Sequence, residues 1–218
     1  ANVIGRDADL VIGVGTRFSD FTTSSKWLFN ENRKVLAINI CPFDAYKMDA
    51  EAVVADAREA LNALADALNG YKTKYTDEIS KAKAEWDAIV DDYYTKELDG
   101  GLNQTLALGI INEFMGDEDI ALGSAGSLPG DMQRLFRPKG RGTYHMEYGF
   151  SNMGYEVNGA LGAKLAKPEA EVYTFCGDGS FLMGHSELYT AVQEGLKINV
   201  CLFDNLGWGC IETVSYTH

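Results

Sequence analysis

Two oxygen-bearing side chains in the last third of the chain have a type and spacing that suit metal chemistry. Asp178 lies in the segment Cys176-Gly-Asp-Gly-Ser-Phe181, and Asn205 follows it 27 positions later in Phe203-Asp-Asn-Leu-Gly207. Each residue follows an apolar, strand-like stretch, and a helix is predicted between them over Ser186–Gln193. A right-handed strand-helix-strand unit brings the carboxyl ends of both strands to one sheet edge, where α/β sheets bind ligands. The sequence therefore predicts that Asp178 and Asn205 lie side by side.

A carboxylate, an amide oxygen and a loop carbonyl together form a site of hard oxygen ligands with little charge. Such a site suits Mg²⁺ shared with a diphosphate, because Mg²⁺ keeps several coordination positions for phosphate and water. The glycines on either side of Asp178 free the backbone to turn sharply and expose amides. For this loop alone, the alternative is an ordinary strand-to-helix turn in which Asp178 caps the helix.

Charge restricts the classes of partner. The 218 residues contain 19 basic and 32 acidic side chains, which gives a formal net charge of -13. Nucleic acids and anionic membrane surfaces repel such a protein, so we expect neither as a partner. A phosphate-bearing ligand would need backbone amides or a metal ion. The four cysteines show no CxxC spacing, which favours reduced thiols in a cytoplasmic protein.

The first part of the chain alternates strand and helix signals. Apolar, strand-like segments occur at Leu10–Val14, Lys34–Ile40 and Ala52–Ala55. Apolar residues at helical spacing then predict a helix over Asp56–Leu68, with Asp56 as its cap. This alternation predicts a parallel sheet covered by helices, and we assign residues 1–70 to one α/β unit.

A second α/β unit follows a polar connection. Residues 71–100 predict an amphipathic connecting helix, and the α/β pattern resumes over 101–218. The predicted elements there are a helix at Gln104–Met115, a strand at Ile120–Leu122, a glycine-rich loop at Gly123–Gly130, a helix at Met153–Leu165 and strands at Glu171–Cys176 and Ile198–Phe203. The predicted fold class is thus α/β, with two parallel-sheet units joined by a helix. Both ends fall near core elements, so we expect a piece of a longer polypeptide.

Several segments resemble those of thiamine-diphosphate enzymes. The run Gly177-Asp-Gly-Ser-Phe181, followed at this interval by Asn205, resembles the thiamine-diphosphate signature. Residues 145–155 and 159–164 resemble the segment that holds the aminopyrimidine in acetohydroxyacid synthase-like enzymes, and residues 8–18 resemble the end of their central domain. The resemblance covers essentially the whole chain. It implies the latter part of a central domain followed by a shortened diphosphate-binding domain.

The same resemblance implies a role for individual residues. Asp178, Asn205 and the carbonyl of Gly207 would bind Mg²⁺. The cofactor would be held by residues on three segments: Gly126 and Ser127, Ser151 and Met153, and Gly177, Gly179 and Ser180. The Met153 side chain would wedge the two rings of thiamine diphosphate into their bent shape. His145, Glu147 and His185 are polar groups that would face the substrate.

Five short segments narrow the resemblance to one branch of the superfamily. Residues 20–23, 126–131, 144–149, 185–188 and 205–211 resemble the trihydroxycyclohexanedione hydrolases of myo-inositol catabolism. This branch implies hydrolysis of a carbon–carbon bond in a small cyclic dione by a full-length homo-oligomer. The alternatives are an acetohydroxyacid synthase-like ligase of 2-oxo acids and a noncatalytic module that holds Mg²⁺ and diphosphate. The family's activating glutamate belongs to a domain that no segment here matches, so we expect this chain alone to be inactive.

Overall fold

Two parallel sheets, as the sequence predicts, organise the computed structural model, which describes residues 2–99 and 101–211. Ala1, Gly100 and residues 212–218, which include the end of the predicted second unit, lie outside the described residues. The chain divides into one unit that ends at Ala88 and another that begins at Ile89. This boundary lies inside the helix predicted over 71–100. The last part of that helix therefore belongs to the second unit.

The first unit is built on a three-stranded sheet. Its strands are β1 (Leu10–Val14), β2 (Lys34–Asn39) and β3 (Glu51–Val54), which lie in that order and pair in parallel. Its helices are α1 (Asn2–Asp7), α2 (Asp20–Thr23), α3 (Pro42–Ala45), a 3₁₀ turn at Lys47–Asp49, and α4 (Ala57–Ala67). Asp56 caps α4 as predicted, since its carboxylate accepts from the backbone amides of Arg58 and Glu59. Phe18, Val35, Ala37 and Met48 form a buried cluster.

The second unit is built on a four-stranded sheet. Its strands are β4 (Ile120–Gly123), β5 (Tyr144–Met146), β6 (Val172–Gly177) and β7 (Asn199–Phe203). They lie in the order β5-β4-β6-β7 and pair in parallel throughout. Its helices are α6 (Gln104–Phe114), α7 (Ser127–Leu135), α8 (Tyr155–Ala166), α9 (Asp178–Gly184) and α10 (Glu187–Gln193), after α5 (Thr76–Thr95), which spans the unit boundary.

Helices cover both faces of this second sheet. On one face, Phe175 of β6 packs in a buried cluster with Tyr94 of α5, Leu108 of α6 and Met132 of α7. On the other face, Val172 of β6 packs with Ala160 of α8. Burial on both faces is the usual condition for a parallel sheet. The sheet is therefore fixed on both sides, and its strand ends are held in place for a site.

The sequence predicts a loop over the whole of the glycine-rich segment 123–130, but the structure has a loop only in its middle. Gly123 ends β4, and α7 begins at Ser127. The buried face of α7 contains Leu128, Met132 and Leu135 at helical spacing. Pro129 lies in the first turn, where a missing backbone N–H removes no intrahelical hydrogen bond. The three glycines of the segment and Pro129 therefore hid the helical period.

Within residues 2–99 and 101–211, every helix is too short or too polar to cross a lipid bilayer.

Candidate functional site

One cavity of about 260 Å³ lies at the carboxyl ends of β4, β6 and β7. Because these strands are parallel neighbours, the loops that follow them lie side by side at this sheet edge. The cavity is lined by every residue that the sequence assigns to the cofactor or to Mg²⁺: Gly126, Ser127, Ser151, Met153, Gly177, Asp178, Gly179, Ser180, Asn205 and Gly207. Segments far apart in sequence thus meet in one concave site.

Of the three residues assigned to the metal, Asn205 contacts both of the others. With its nitrogen turned toward them, the Asn205 amide donates to the Gly207 carbonyl oxygen at 2.7 Å and to Asp178 Oδ1 at 3.1 Å. Hydrogen bonding alone favours this orientation, because it pairs a donor with two acceptors. Turning the amide by half a turn exchanges its nitrogen and oxygen. Asn205 Oδ1 then lies beside the Gly207 carbonyl oxygen and Asp178 Oδ1.

This geometry fits Mg²⁺. Six oxygens at about 2.1 Å from Mg²⁺ in an octahedron are roughly 3 Å from their neighbours. The Asn205 amide lies at 2.7 Å and 3.1 Å from the other two groups, which is close to this spacing. Only Asp178 among them carries charge, so three positions would be left for phosphate oxygens and water. Among the described residues, no group of three His, Cys, Asp or Glu side chains could hold a metal ion. The oxygen set at β6 and β7 is therefore the candidate metal centre.

The part of the cavity next to this centre offers backbone amides as its donors to an anion. Among the described residues that line the cavity, none is a lysine, arginine or histidine. Gly126 precedes α7 with φ 102° and ψ −167°, a conformation that is open essentially only to glycine. It brings the start of α7, where Ser127 is exposed, to the cavity wall. Together with the Gly177–Ser180 loop, this turn provides uncharged donors for an anion.

The third wall is the turn that contains Ser151 and Met153. Both residues are half-buried and line the cavity. The hydroxyl of Ser124, directly after β4, donates to the carbonyl of Asn152 at 2.7 Å. This bond ties the turn to the end of β4, and so to the loop that carries Gly126.

Glu147 holds the same turn from its other side. Its carboxylate accepts from the backbone amides of Phe150, at 2.9 Å, and Asn152, at 3.2 Å. The N–H of Phe150 lowers the pKa of this carboxyl below its ordinary value, and the N–H of Asn152 acts in the same direction. Glu147 does not line the cavity described above. In this structure it organises the backbone, and a contact with substrate remains a prediction.

The two histidines assigned to the substrate also lie outside this cavity. His145 is exposed, and its Nε2 lies 3.1 Å from the carbonyl oxygen of Gly142. It lines a different cavity, beside Tyr155 of α8. His185 follows α9, and its Nδ1 lies 3.0 Å from the carbonyl oxygen of Leu182. The structure therefore does not bring these histidines together with the cofactor residues, and their role stays a prediction.

Two glycines allow α9 to approach the Met153 turn closely. A Cβ on Gly184 would lie 2.3 Å from the carbonyl oxygen of Gly154, which is closer than real Cβ contacts. Gly154 itself has φ 86°, in the left-handed region. The end of α9 and the turn that follows Met153 therefore pack backbone against backbone.

Sequence reasoning missed two residues beside this site. Glu156 is fully buried on α8 and accepts a hydrogen bond from the Ser180 hydroxyl. The sequence feature that could have indicated Glu156 is a charged residue on the helix face that otherwise contains small and apolar residues such as Ala160. Trp208 lines the cavity and packs over Gly179, with ring atoms 3.3 Å from the position of a Cβ there. The sequence feature that could have indicated Trp208 is its position three residues after Asn205.

Two family models match the chain. The family model "Thiamine pyrophosphate enzyme, C-terminal TPP binding domain" matches residues 124–217, and "Thiamine pyrophosphate enzyme, central domain" matches residues 1–64. The chain belongs to the thiamine pyrophosphate enzymes. The whole of the cavity except Gln104 lies within the first of these matches.

Individual relatives carry a more specific name. The chain is 48% identical over 246 residues to the 3D-(3,5/4)-trihydroxycyclohexane-1,2-dione hydrolase of Clostridium tetani, with 100% of the chain and 38% of the relative covered. It is 49% identical to the protein of that name in Geobacillus thermodenitrificans and 50% identical to that in Bacillus cereus strain AH820, each alignment covering 98% of the chain and 37% of the relative. The chain thus spans a little over a third of the length of these relatives.

The contact between Gly154 and Gly184 yields a test of the cavity's geometry. Gly184→Ala should lower the free energy of unfolding by roughly 1–3 kcal/mol, because a backbone atom must move to admit the methyl group. Gly162→Ala is the matched control. Gly162 is an exposed position inside α8 with no atom near a new Cβ, so alanine should be neutral or stabilising by up to about 1 kcal/mol. Urea unfolding of both variants measures the difference, and equal stabilities would contradict the close approach.

Proposed function

We propose that the cavity at the ends of β4, β6 and β7 binds thiamine diphosphate together with Mg²⁺. Asp178, the Asn205 side-chain oxygen and the Gly207 carbonyl would hold the metal. The convergence of these three groups at spacings of 2.7 and 3.1 Å is the observation that carries the proposal. The family match to a thiamine pyrophosphate-binding domain supports the same cofactor.

Each wall of the cavity would hold one part of the cofactor. The amides of Gly179 and Ser180, with those near Gly126 and Ser127, would donate to the diphosphate and so offset its negative charge. The turn with Ser151 and Met153 would orient the pyrimidine end. Half-buried apolar groups such as Met153 would limit the access of water to that end.

We propose that the protein to which this chain belongs hydrolyses a carbon–carbon bond in a cyclic 1,2-dione. The printed names of relatives near 50% identity support this substrate class. When bound, thiamine diphosphate supplies a nucleophilic carbon and accepts the electron pair of the bond that breaks. Water then completes the reaction, and an open-chain acid leaves. His145, Glu147 and His185 remain the proposed polar groups on the substrate side.

We also propose that the protein is cytoplasmic and forms a homo-oligomer. The four cysteines are free thiols, which is usual in the reducing cytoplasm. Two apolar side chains on loops near the cavity are strongly exposed, Phe150 at 82% and Leu206 at 92%. Exposed apolar groups of this size favour association, so we propose a homo-oligomeric enzyme.

The metal assignment predicts unequal effects for two neighbouring aspartates. Asp178→Ala should weaken Mg²⁺-dependent binding of thiamine diphosphate by at least about 100-fold, because even outer partners of a metal site are worth about 10–100-fold. Asp204→Ala is the control, since the Asp204 carboxylate accepts from the backbone amide of Leu206 at 2.9 Å and Asp204 does not line the cavity. Calorimetry on the 218-residue chain measures both. Equal losses would show that Asp178 is not a metal ligand.

The proposed activity can be tested in a relative that supplies the remaining length. The segment of the Clostridium tetani protein that aligns with this chain would be replaced by this chain. The chimera should open the ring of trihydroxycyclohexane-1,2-dione only with thiamine diphosphate and Mg²⁺, and the Asp178→Ala chimera should not. Product analysis by NMR, with pyruvate offered in a parallel reaction, distinguishes the hydrolase from a 2-oxo acid ligase and from a noncatalytic module. A folded chimera that joins 2-oxo acids, or that binds cofactor without turnover, would refute the hydrolase proposal.

A further inference from the structure

A buried carboxylate lies behind the cavity wall and carries no assigned role. Glu156 is 1% exposed in the first turn of α8. Among the described residues, no lysine or arginine forms an ion pair with it. A buried charge without a counter-ion must be stabilised by hydrogen bonds. Glu156 therefore has to be explained by the donors around it.

Three donors surround the carboxylate, and each belongs to a different wall of the cavity. The Ser180 hydroxyl donates to Oε2 at 2.6 Å, and the Gly154 amide donates to the same oxygen at 3.0 Å. The Ala125 amide donates to Oε1 at 3.4 Å. Ala125 precedes Gly126, Gly154 follows Met153, and Ser180 belongs to the Asp178 loop. One side chain thus connects all three cofactor-binding segments.

This arrangement also commits the side chain of Ser180. Its hydroxyl gives its single proton to Glu156 and accepts from the Gly154 amide at 2.8 Å. That proton is not available to a phosphate oxygen. Ser180 can then serve the diphosphate through its backbone amide, while its side chain fixes the position of the loop.

We propose that Glu156 is a positioning residue that holds the diphosphate wall and the pyrimidine wall at the separation that one molecule of thiamine diphosphate requires. This inference rests on the proposed cofactor site. Loss of the hydrogen bonds of Glu156 should affect two kinds of ligand differently. It should lower the affinity for a ligand that contacts both walls more than the affinity for a ligand that contacts only the diphosphate wall.

Three variants grade the effect. Glu156→Gln keeps an oxygen for Ser180 and Gly154 if its amide nitrogen takes the place of Oε1, so it loses only the long bond from Ala125. Ser180→Ala removes the hydroxyl but keeps the backbone amide. Glu156→Leu removes all three bonds. Because a hydrogen bond to a charged group is worth about tenfold or more, Ser180→Ala and Glu156→Leu should each lower thiamine diphosphate affinity at least about tenfold, and Glu156→Gln less than that.

The control is the other buried charge on the same helix face. Lys164 donates to the Ala170 carbonyl at 2.7 Å and does not line the cavity. Lys164→Met should lower stability without changing the relative affinity for two ligands. It therefore shows what a purely structural perturbation of α8 does.

The experiment is calorimetry of the 218-residue chain with Mg²⁺ and either thiamine diphosphate or inorganic pyrophosphate. In Ser180→Ala and Glu156→Leu, the affinity for thiamine diphosphate should fall several-fold more than the affinity for pyrophosphate. Equal losses for both ligands, or the same ratio in Lys164→Met, would overturn the positioning role. If Glu156→Leu does not fold, Ser180→Ala and Glu156→Gln still decide the question. Failure of the unmodified chain to bind either ligand would instead refute the proposed cofactor site.

Discussion

Parallel pairing of β4, β6 and β7 is the constraint on which the whole site depends. It brings the carboxyl ends of three strands to one edge, so that loops from distant parts of the sequence share a single cavity. Gly177 pairs with Phe203 at the end of the two strands. Asp178 and the loop that contains Asn205 therefore begin directly after the same point of the sheet edge. The helices on both faces hold this register, and the three oxygen groups converge as a result.

The acidic charge of the chain imposes a second requirement. A protein with a net charge of -13 can bind a diphosphate only through local devices that oppose its overall field. Backbone amides and a shared divalent cation are such devices, and the described lining of the cavity has no basic side chain. The buried carboxylate of Glu156 is compatible with an anion site because it faces the loops from behind. Its oxygens accept hydrogen bonds from the Ala125 and Gly154 amides and the Ser180 hydroxyl, which belong to these loops.

The sequence predicted the parts of the site that follow from strand ends. Asp178 and Asn205 each follow an apolar strand, and the handedness of the connection then puts them together, as the structure shows. It could not predict Glu156, whose partners Ala125 and Ser180 are about thirty and two dozen residues away and come near only after folding. It missed α7 because glycine and proline masked a helical face. The backbone contacts of Glu147 likewise depend on a turn that residue type alone does not indicate.

The central claim is that Asp178, Asn205 and Gly207 share one metal ion with a bound diphosphate. Crystals of the 218-residue chain grown with thiamine diphosphate and Mn²⁺ in place of Mg²⁺ would test it, because the anomalous signal of manganese locates the metal directly. We predict a single strong peak bonded to Asp178 Oδ1, Asn205 Oδ1 and the Gly207 carbonyl oxygen, with diphosphate oxygens completing the coordination. A bound cofactor whose manganese peak lies elsewhere, or an Asn205 amide nitrogen that still faces Asp178 and Gly207, would contradict the account.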